Sequence, residues 1–215
     1  MPASVLIVAA EEREFAGLIK RVGPGTPLHC PDIAYARDVL LHGRRAILIA
    51  NGPGPKLVNK ALASNVIPNW NVTEVISTGF CGALDPALRI GDIVIAGEGE
   101  IWSEDRVAVR ADEKRQLWQR TGARVVEMEF AAVQAKAHEW GVPCRAVRVV
   151  SDSAGEDLPL DFNRYRDAEG RFQLTRIALA GLVRPFTVLP KLMQLDRNSR
   201  LATEKLGAFF ADSEF

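Results

Sequence analysis

Short, almost wholly apolar runs alternate with helical patterns along this chain, which predicts a three-layer α/β/α fold around a central mixed, largely parallel sheet. The runs are VLIVAA (5–10), DVLLH and AILIA on either side of the turn HGRR (38–50), EVISTG (74–79), DIVIA (92–96), RVVEM (124–128) and RAVRVVSD (145–152). They lack the polar alternation of a half-solvated strand, as strands covered on both faces do. Between them EEREFAGLIKRV (11–22), KLVNKALASNVI (56–67), DEKRQLWQRTG (112–122) and EFAAVQAKAHEWG (129–141) read as helices. From about Phe172 onward the chain changes character: apolar residues are punctuated by Arg and Lys, and Pro185 and Pro190 are each expected to break or kink a helix.

At 215 residues the chain suits one domain, 1–215, with a divergent C-terminal helical tail from about 172. Apolar residues make up 47% and charged residues 25%, the ordinary globular mix, which speaks against disorder. The 27 basic and 27 acidic side chains cancel, leaving no global field to draw nucleic acid; a small, roughly neutral ligand fits better. Cys30, Cys81 and Cys144 fit neither a disulfide framework nor a zinc site, and His29, His42 and His138 lack metal-ligand spacing. No metal and no cofactor are therefore expected. The run SVLIVAA has no basic region before it and meets AEERE at once, which fails as a secretory signal. No stretch reaches the ~18 apolar residues of a membrane span, so the expected location is cytoplasmic.

In sheets of this kind ligands sit beyond the carboxyl ends of the strands, here AAEERE, ANGPGP, STGFCGAL, VEMEF and VVSDSAGED. Gly52-Pro53-Gly54-Pro55-Lys56 matches no phosphate-binding pattern and reads as a strand-to-helix turn. Gly79-Phe80-Cys81-Gly82 closes a strand with small residues that let backbone approach a flat ligand, or let two elements pack. Glu11, Glu12 and Glu14 suit the acidic first turn of a helix, and Asp152 taken alone suits an N-cap. Glu127 and Glu129 flank Met128 and are expected to face opposite ways, one toward a pocket and one in solvent. What remains is a carboxylate on each of three strand ends, Glu14, Glu129 and Asp152, a set suited to proton transfer, water activation and hydroxyl binding.

Five segments in this order carry a resemblance: VLIVAAEEREF, ANGPGPKLVNKAL, VISTGFCGALDPALRIGDIVIA, VVEMEFAAVQAKAHEWGVP and VRVVSDSAGEDLPLDF. From Val5 to about Phe162 the chain resembles the nucleoside phosphorylase and nucleosidase superfamily, especially its methylthioadenosine/S-adenosylhomocysteine nucleosidases. The resemblance implies a nucleoside phosphorylase-like fold, a homodimer or higher homo-oligomer, and an enzyme that releases adenine from a 5′-substituted adenosine. It also implies roles residue by residue. Glu14 orients the attacking water, Met128 packs on the ribose, and Glu129 binds the 2′- and 3′-hydroxyls. Asp152, beside Ser151, protonates N7 of the purine, which needs a pKa raised by burial. Gly79, Phe80, Cys81 and Gly82 lie beside the base, Arg106 and Val107 of SEDRV line it, and Phe162 closes over it. Phosphorylases of the superfamily keep arginines and a serine around phosphate. Here Ser77 precedes the glycine stretch, Phe80 replaces a small hydroxyl residue and Glu14 occupies the phosphate loop. Water is thus favoured as nucleophile; the alternatives are a phosphate-dependent phosphorylase or a nucleoside-binding protein that has lost turnover.

Two stretches depart from the nucleosidase pattern. After GDIVIA the family carries a long loop, a helix and a strand, whereas this chain passes through GEGE directly into IWSEDRV. Either the protein is trimmed there, or a segment is missing, which a chain break near Gly97 to Gly99 would reveal. The tail resembles the hopanoid-associated phosphorylase branch, implicated in removing adenine from adenosylhopane. Its apolar, Arg/Lys-punctuated sequence admits peripheral contact with a membrane surface, but packing as a core or oligomer helix is favoured.

Overall fold

In β1 (Ser4–Ala9) every residue is buried, and the two faces of the strand enter different cores. Val5, Ile7 and Ala9 pack with Phe15, Leu206 and Phe210, while Leu6 and Val8 pack with Val58, Trp70 and Val133. This is why the run is continuously apolar. The computed structural model describes residues 2–96 and 99–213; Gly97 and Glu98, where a chain break would distinguish a missing segment from a trimmed protein, lie outside the described residues.

β1 runs parallel to β4 (Arg44–Ala50) on one side and to β5 (Val72–Ala83) on the other. β4 forms a hairpin with β3 (Tyr35–Leu41), which carries the short edge strand β2 (Thr26–Pro27). The turn residues His42 and Gly43 have φ of 50° and 74°, the positive pair that a two-residue hairpin needs to match strand twist. On the far side β5 is parallel to β9 (Cys144–Asp152), which holds β6 (Ile93–Ile95) antiparallel. The last residues of β5 instead pair antiparallel with β8 (Val125–Glu127), itself parallel to β7 (Ile101–Ser103). The sheet is therefore mixed, with parallel strands at its centre.

α1 (Ala16–Val22) and α6 (Leu189–Asp212) cover one face; α2 (Pro55–Leu62) and α4 (Phe130–Glu139) cover the other. α3 (Ala111–Thr121) sets Leu117 against Val126 and Leu84 at the β8 end, and α5 (Leu174–Val183) leads into α6. The helix expected over 11–22 is split, because a 3-10 turn over Glu12–Phe15 precedes α1. EVISTG does not end at Gly79: β5 continues to Ala83, so Gly79 to Gly82 lies inside a strand. Pro185 falls between α5 and α6, as a helix breaker should. Pro190 causes no break, since it occupies the first turn of α6, where no backbone donor is required.

The tail behaves as two different pieces. The second half of α6 is core: Ala202, Leu206 and Phe210 are buried, and a Cβ on Gly17 of α1 would stand 2.1 Å from the carbonyl oxygen of Thr203. His42 Nε2 lies 2.8 Å from the carbonyl oxygen of Phe210, fastening the helix end to the β3–β4 turn. α5 and its exit remain uncovered, with Leu182 66% and Phe186 92% exposed. No described helix is long and apolar enough to cross a membrane.

Candidate active site

The site grows from the carboxyl ends of β1, β5, β8 and β9. Beyond β1 the 3-10 turn points Glu14 inward, where its Oε2 accepts from the backbone N–H of Glu11 (2.8 Å) and its Oε1 from that of Phe80 (2.8 Å). Burial raises the Glu14 pKa above the usual carboxylate range, although these two amides oppose the shift. Gly79 makes that position accessible. A Cβ there would lie 2.6 Å from Glu14 Oε1, and its φ of 134° is unfavourable for any other residue. Three residues on, a Cβ at Gly82 would lie 2.9 Å from Asp152 Oδ2. Each glycine of the pair thus clears space for one carboxylate.

The corner between β8 and α4 overturns the divergence expected for Glu127 and Glu129. The strand stops at Glu127 and the helix begins at Phe130, so the chain turns between them and both carboxylates are buried. Glu127 Oε2 accepts from the backbone N–H of Glu129 (2.9 Å) and Phe130 (2.8 Å), completing the start of α4. The same carboxylate meets the fully buried Arg148 at 2.5 Å and receives a hydrogen bond from Ser103, while Arg148 Nη2 also donates to Ser77 Oγ (2.7 Å). Burial alone would raise the Glu127 pKa, but Arg148 and Ser103 bring it below the ordinary value. Glu129 Oε1 accepts from the backbone N–H of Gly54 at 2.7 Å. Burial, aided by the charge of Glu127, pushes Glu129 up to about 8. The Gly52–Gly54 segment is the expected strand-to-helix turn, with the amide of Gly54 committed to Glu129.

At the end of β9, Ser151 Oγ lies 2.9 Å from Asp152 Oδ1 and 3.2 Å from the carbonyl oxygen of Cys81. No helix begins directly after Asp152, so it is not an N-cap. Its side chain is 17% exposed rather than enclosed, and its Oδ2 accepts from Lys114 Nζ at 2.5 Å. Val107 is held through its backbone: its N–H donates to Asn163 Oδ1 (2.9 Å) and its carbonyl oxygen accepts from Asn163 Nδ2 (3.0 Å). Arg106 is paired with Glu113, and Phe162 meets Phe172 edge-on with ring centroids 6.2 Å apart.

One cavity of about 290 Å³ gathers Glu14, Phe80, Cys81, Gly82, Arg106, Val107, Met128, Glu129, Ser151, Asp152 and Phe162. Of the sequence candidates only Gly79 does not line it; that residue sits behind Glu14 instead of against a ligand. Burial pushes the Cys81 thiol well up, which makes it a wall rather than a nucleophile. The opposite end of the cavity is apolar, formed by Phe172, Leu174, Ile177, Leu192 and Leu195.

Sequence reasoning missed Lys114, Arg148, Asn163 and this apolar end. Two of them left a trace. Lys114 shares the helical face of Leu117, Trp118 and Thr121, and Arg148 interrupts the apolar centre of RAVRVVSD; a charge on a buried face demands a partner. Asn163 and the tail leucines carried no local signal.

A carboxylate-lined cavity at the strand ends of a doubly covered α/β sheet lies where folds of this class bind their ligands. The chain belongs to the phosphorylase superfamily, matching it over residues 5–98 and 96–184, two stretches that meet where the expected loop is absent from the sequence. Among its relatives is the 5′-methylthioadenosine/S-adenosylhomocysteine nucleosidase of Shewanella oneidensis, 25% identical, with 90% of this chain and 98% of that protein covered. The nucleosidase of the same name from Anoxybacillus flavithermus is 25% identical over 75% of this chain and 90% of its own. In three dimensions the chain is similar to the futalosine hydrolase of Helicobacter pylori, with a TM-score of 0.71, 17% identity, and 97% and 96% of the two chains covered. A mutant 5′-methylthioadenosine nucleosidase from the same organism, with 5′-methylthioadenosine in its active site, gives a TM-score of 0.70 at 16% identity, covering 97% and 96%. At these identities the structural likenesses establish the fold.

Proposed function

We propose that this protein hydrolyses the N-glycosidic bond of a 5′-substituted adenosine, releasing adenine. The observation that carries the reading is the convergence of Glu14, Glu129 and Asp152, from three strand ends, on one cavity. In this mechanism the C1′–N9 bond breaks through an oxocarbenium-like state and its electron pair passes to the purine. Asp152 gives a proton to N7, so that the base leaves neutral. Water bonds to C1′ and gives a proton to Glu14, whose raised pKa suits a base. Met128 packs on the ribose and Glu129 holds its hydroxyls. Ser151 steadies Asp152, and Phe80, Cys81, Gly82, Arg106 and Phe162 enclose the base.

Adenine is supported by the Val107 backbone, whose donor and acceptor are taken by the Asn163 amide and would pass to the base if it displaced that side chain. The N1 and 6-amino edge of adenine carries the same acceptor and donor pair as that amide, whereas a 6-oxo purine reverses it. Water is supported over phosphate by the wall charges. Arg13 is paired with Glu11 at 2.5 Å, Arg106 with Glu113, and Arg148 is held behind the wall by Glu127. An anion beside Glu14 would meet carboxylates without an uncommitted arginine among these three.

The apolar end supports an apolar 5′ substituent, of which adenosylhopane, implied by the tail's resemblance, is a bulky example. Leu179, Leu182, Val183 and Phe186 stand exposed near that end, with Arg184 among them, which supports presentation of such a substrate at a lipid surface. Work as a cytoplasmic homo-oligomer of one catalytic domain is the remaining part of the reading, supported by the family resemblance. The test is incubation with adenosine and 5′-substituted adenosines, with and without phosphate, followed by identification of the sugar. Free sugar formed without phosphate is expected; dependence on phosphate with formation of a sugar 1-phosphate overturns hydrolysis.

A further inference from the structure

Lys114 is a fully buried lysine whose ammonium has no contact with the cavity, yet it grips the residue that does. Its Nζ donates to Asp152 Oδ2 at 2.5 Å and to the carbonyl oxygen of Ser153 at 2.7 Å, with that of Glu156 at 3.5 Å. Three acceptors account for the three protons of the ammonium, which is how a charge survives such burial. The helix bearing it is tied to the same loop. The backbone N–H of Ala111 donates to Asp157 Oδ1 (2.8 Å), and that of Leu158 donates to the carbonyl oxygen of Val109 (2.8 Å). Ser151 Oγ sits at the other carboxyl oxygen of Asp152. Both oxygens therefore have a fixed neighbour, while Asp152 itself lines the cavity.

We propose that Lys114 is the positioning residue of the proton donor, an inference that rests on Asp152 acting as the acid. When the glycosidic bond breaks, its electron pair moves onto the purine, the proton leaves Asp152 for N7, and Asp152 becomes a carboxylate. Water bonds to C1′ and its proton goes to Glu14, so one proton enters and one leaves the pair of carboxyls. The negative charge that develops on Asp152 does so against an ammonium already in place, with no reorganisation of solvent. Preset charge of this kind acts on the transition state more than on the bound substrate. Lys114 also fixes the rotation of the carboxyl, so that the transferable proton faces the base.

The test is a double-mutant cycle with Lys114→Met, which keeps the apolar stem, and Asp152→Asn, read as kcat and KM for adenine release. K114M alone is expected to lower kcat about 10²-fold with KM little changed. On the D152N background K114M is expected to change kcat less than about 2-fold, because a residue that acts through Asp152 has nothing left to act on. Unchanged kcat in K114M, or an equal fall on both backgrounds, overturns the inference and leaves the acid assignment standing. Full activity in D152N alone removes the acid assignment itself. If K114M does not fold, K114Q carries the same cycle, since it retains a donor but no charge.

Discussion

The two ends of the cavity are built differently. The acidic end is made of strand termini whose carboxylates are cross-tied, three of them buried and Asp152 partly exposed: Glu14 to two backbone amides, Glu127 to Arg148, Glu129 to the amide of Gly54, Asp152 to Lys114. The apolar end is made by the tail helices, with Leu174 66% exposed. Reactive groups held on a rigid sheet keep their geometry, while helices added beyond them can alter what fits without moving the chemistry. Under the proposed function, chemistry belongs to the sheet and substrate choice to the tail.

Changes at the acidic end should have the largest effects. Glu14→Gln and Asp152→Asn are each expected to reduce kcat by ~10²–10⁴-fold, the usual worth of a placed acid or base, with intact folding by circular dichroism. Wild-type turnover in either variant would remove that group from the mechanism. Arg148→Met leaves Glu127 buried without its partner, and chemical denaturation should register a loss of ~3–5 kcal/mol. A stability loss below about 1 kcal/mol would show that the acidic end is less tightly knit than its geometry implies.

Smaller effects discriminate position from composition. Gly79→Ala forces a methyl group onto Glu14 and should cost roughly 10²-fold in kcat, the scale of a misplaced reacting group, whereas Gly155→Ala, with open space around it, should be silent. Equal behaviour of the two would refute the clearance argument. At the other end, Ile177→Asp should cut kcat/KM by ~10–200-fold for a long 5′-alkyl substrate and spare a 5′-methyl one, the discrimination an apolar wall supplies. Uniform loss would place Ile177 in general folding instead.

A different effect is on stability against pH. Glu129 binds its proton more tightly folded than unfolded, since its pKa rises from 4.5 to about 8. Its contribution is therefore fully present below the unfolded value and fades as pH rises through the folded one. Melting curves between pH 5 and 8 should show wild type losing stability with rising pH more steeply than Glu129→Gln. Parallel curves would mean that Glu129 is ionised throughout. Glu14, raised in the same direction, contributes with the same sign.

The sequence made the acidic end legible and the apolar end almost not. Strand ends and helix starts are short-range features, so VVEMEF, STGFCGAL and VVSDSAGED pointed to groups that the fold then gathered. Glu127 was misjudged because residues two apart on a strand share a face rather than diverge, and because the side chain that holds it lies 21 residues away. Lys114 and Asp152 are 38 residues apart, a pairing no local pattern announces. The tail leucines reach the cavity only because α6 crosses back over α1, where Gly17 and Gly207 let the two backbones touch. Contacts of that range depend on packing across the whole sheet rather than on periodicity within any segment.

The most direct test of the division between the two ends is kcat/KM for adenine release, in phosphate-free buffer, across 5′-alkylthioadenosines of increasing chain length. The structure predicts release of adenine and free sugar without phosphate, with kcat/KM rising as the alkyl chain fills the apolar end. Release only when phosphate is present, or a value that falls as the chain lengthens, would contradict it.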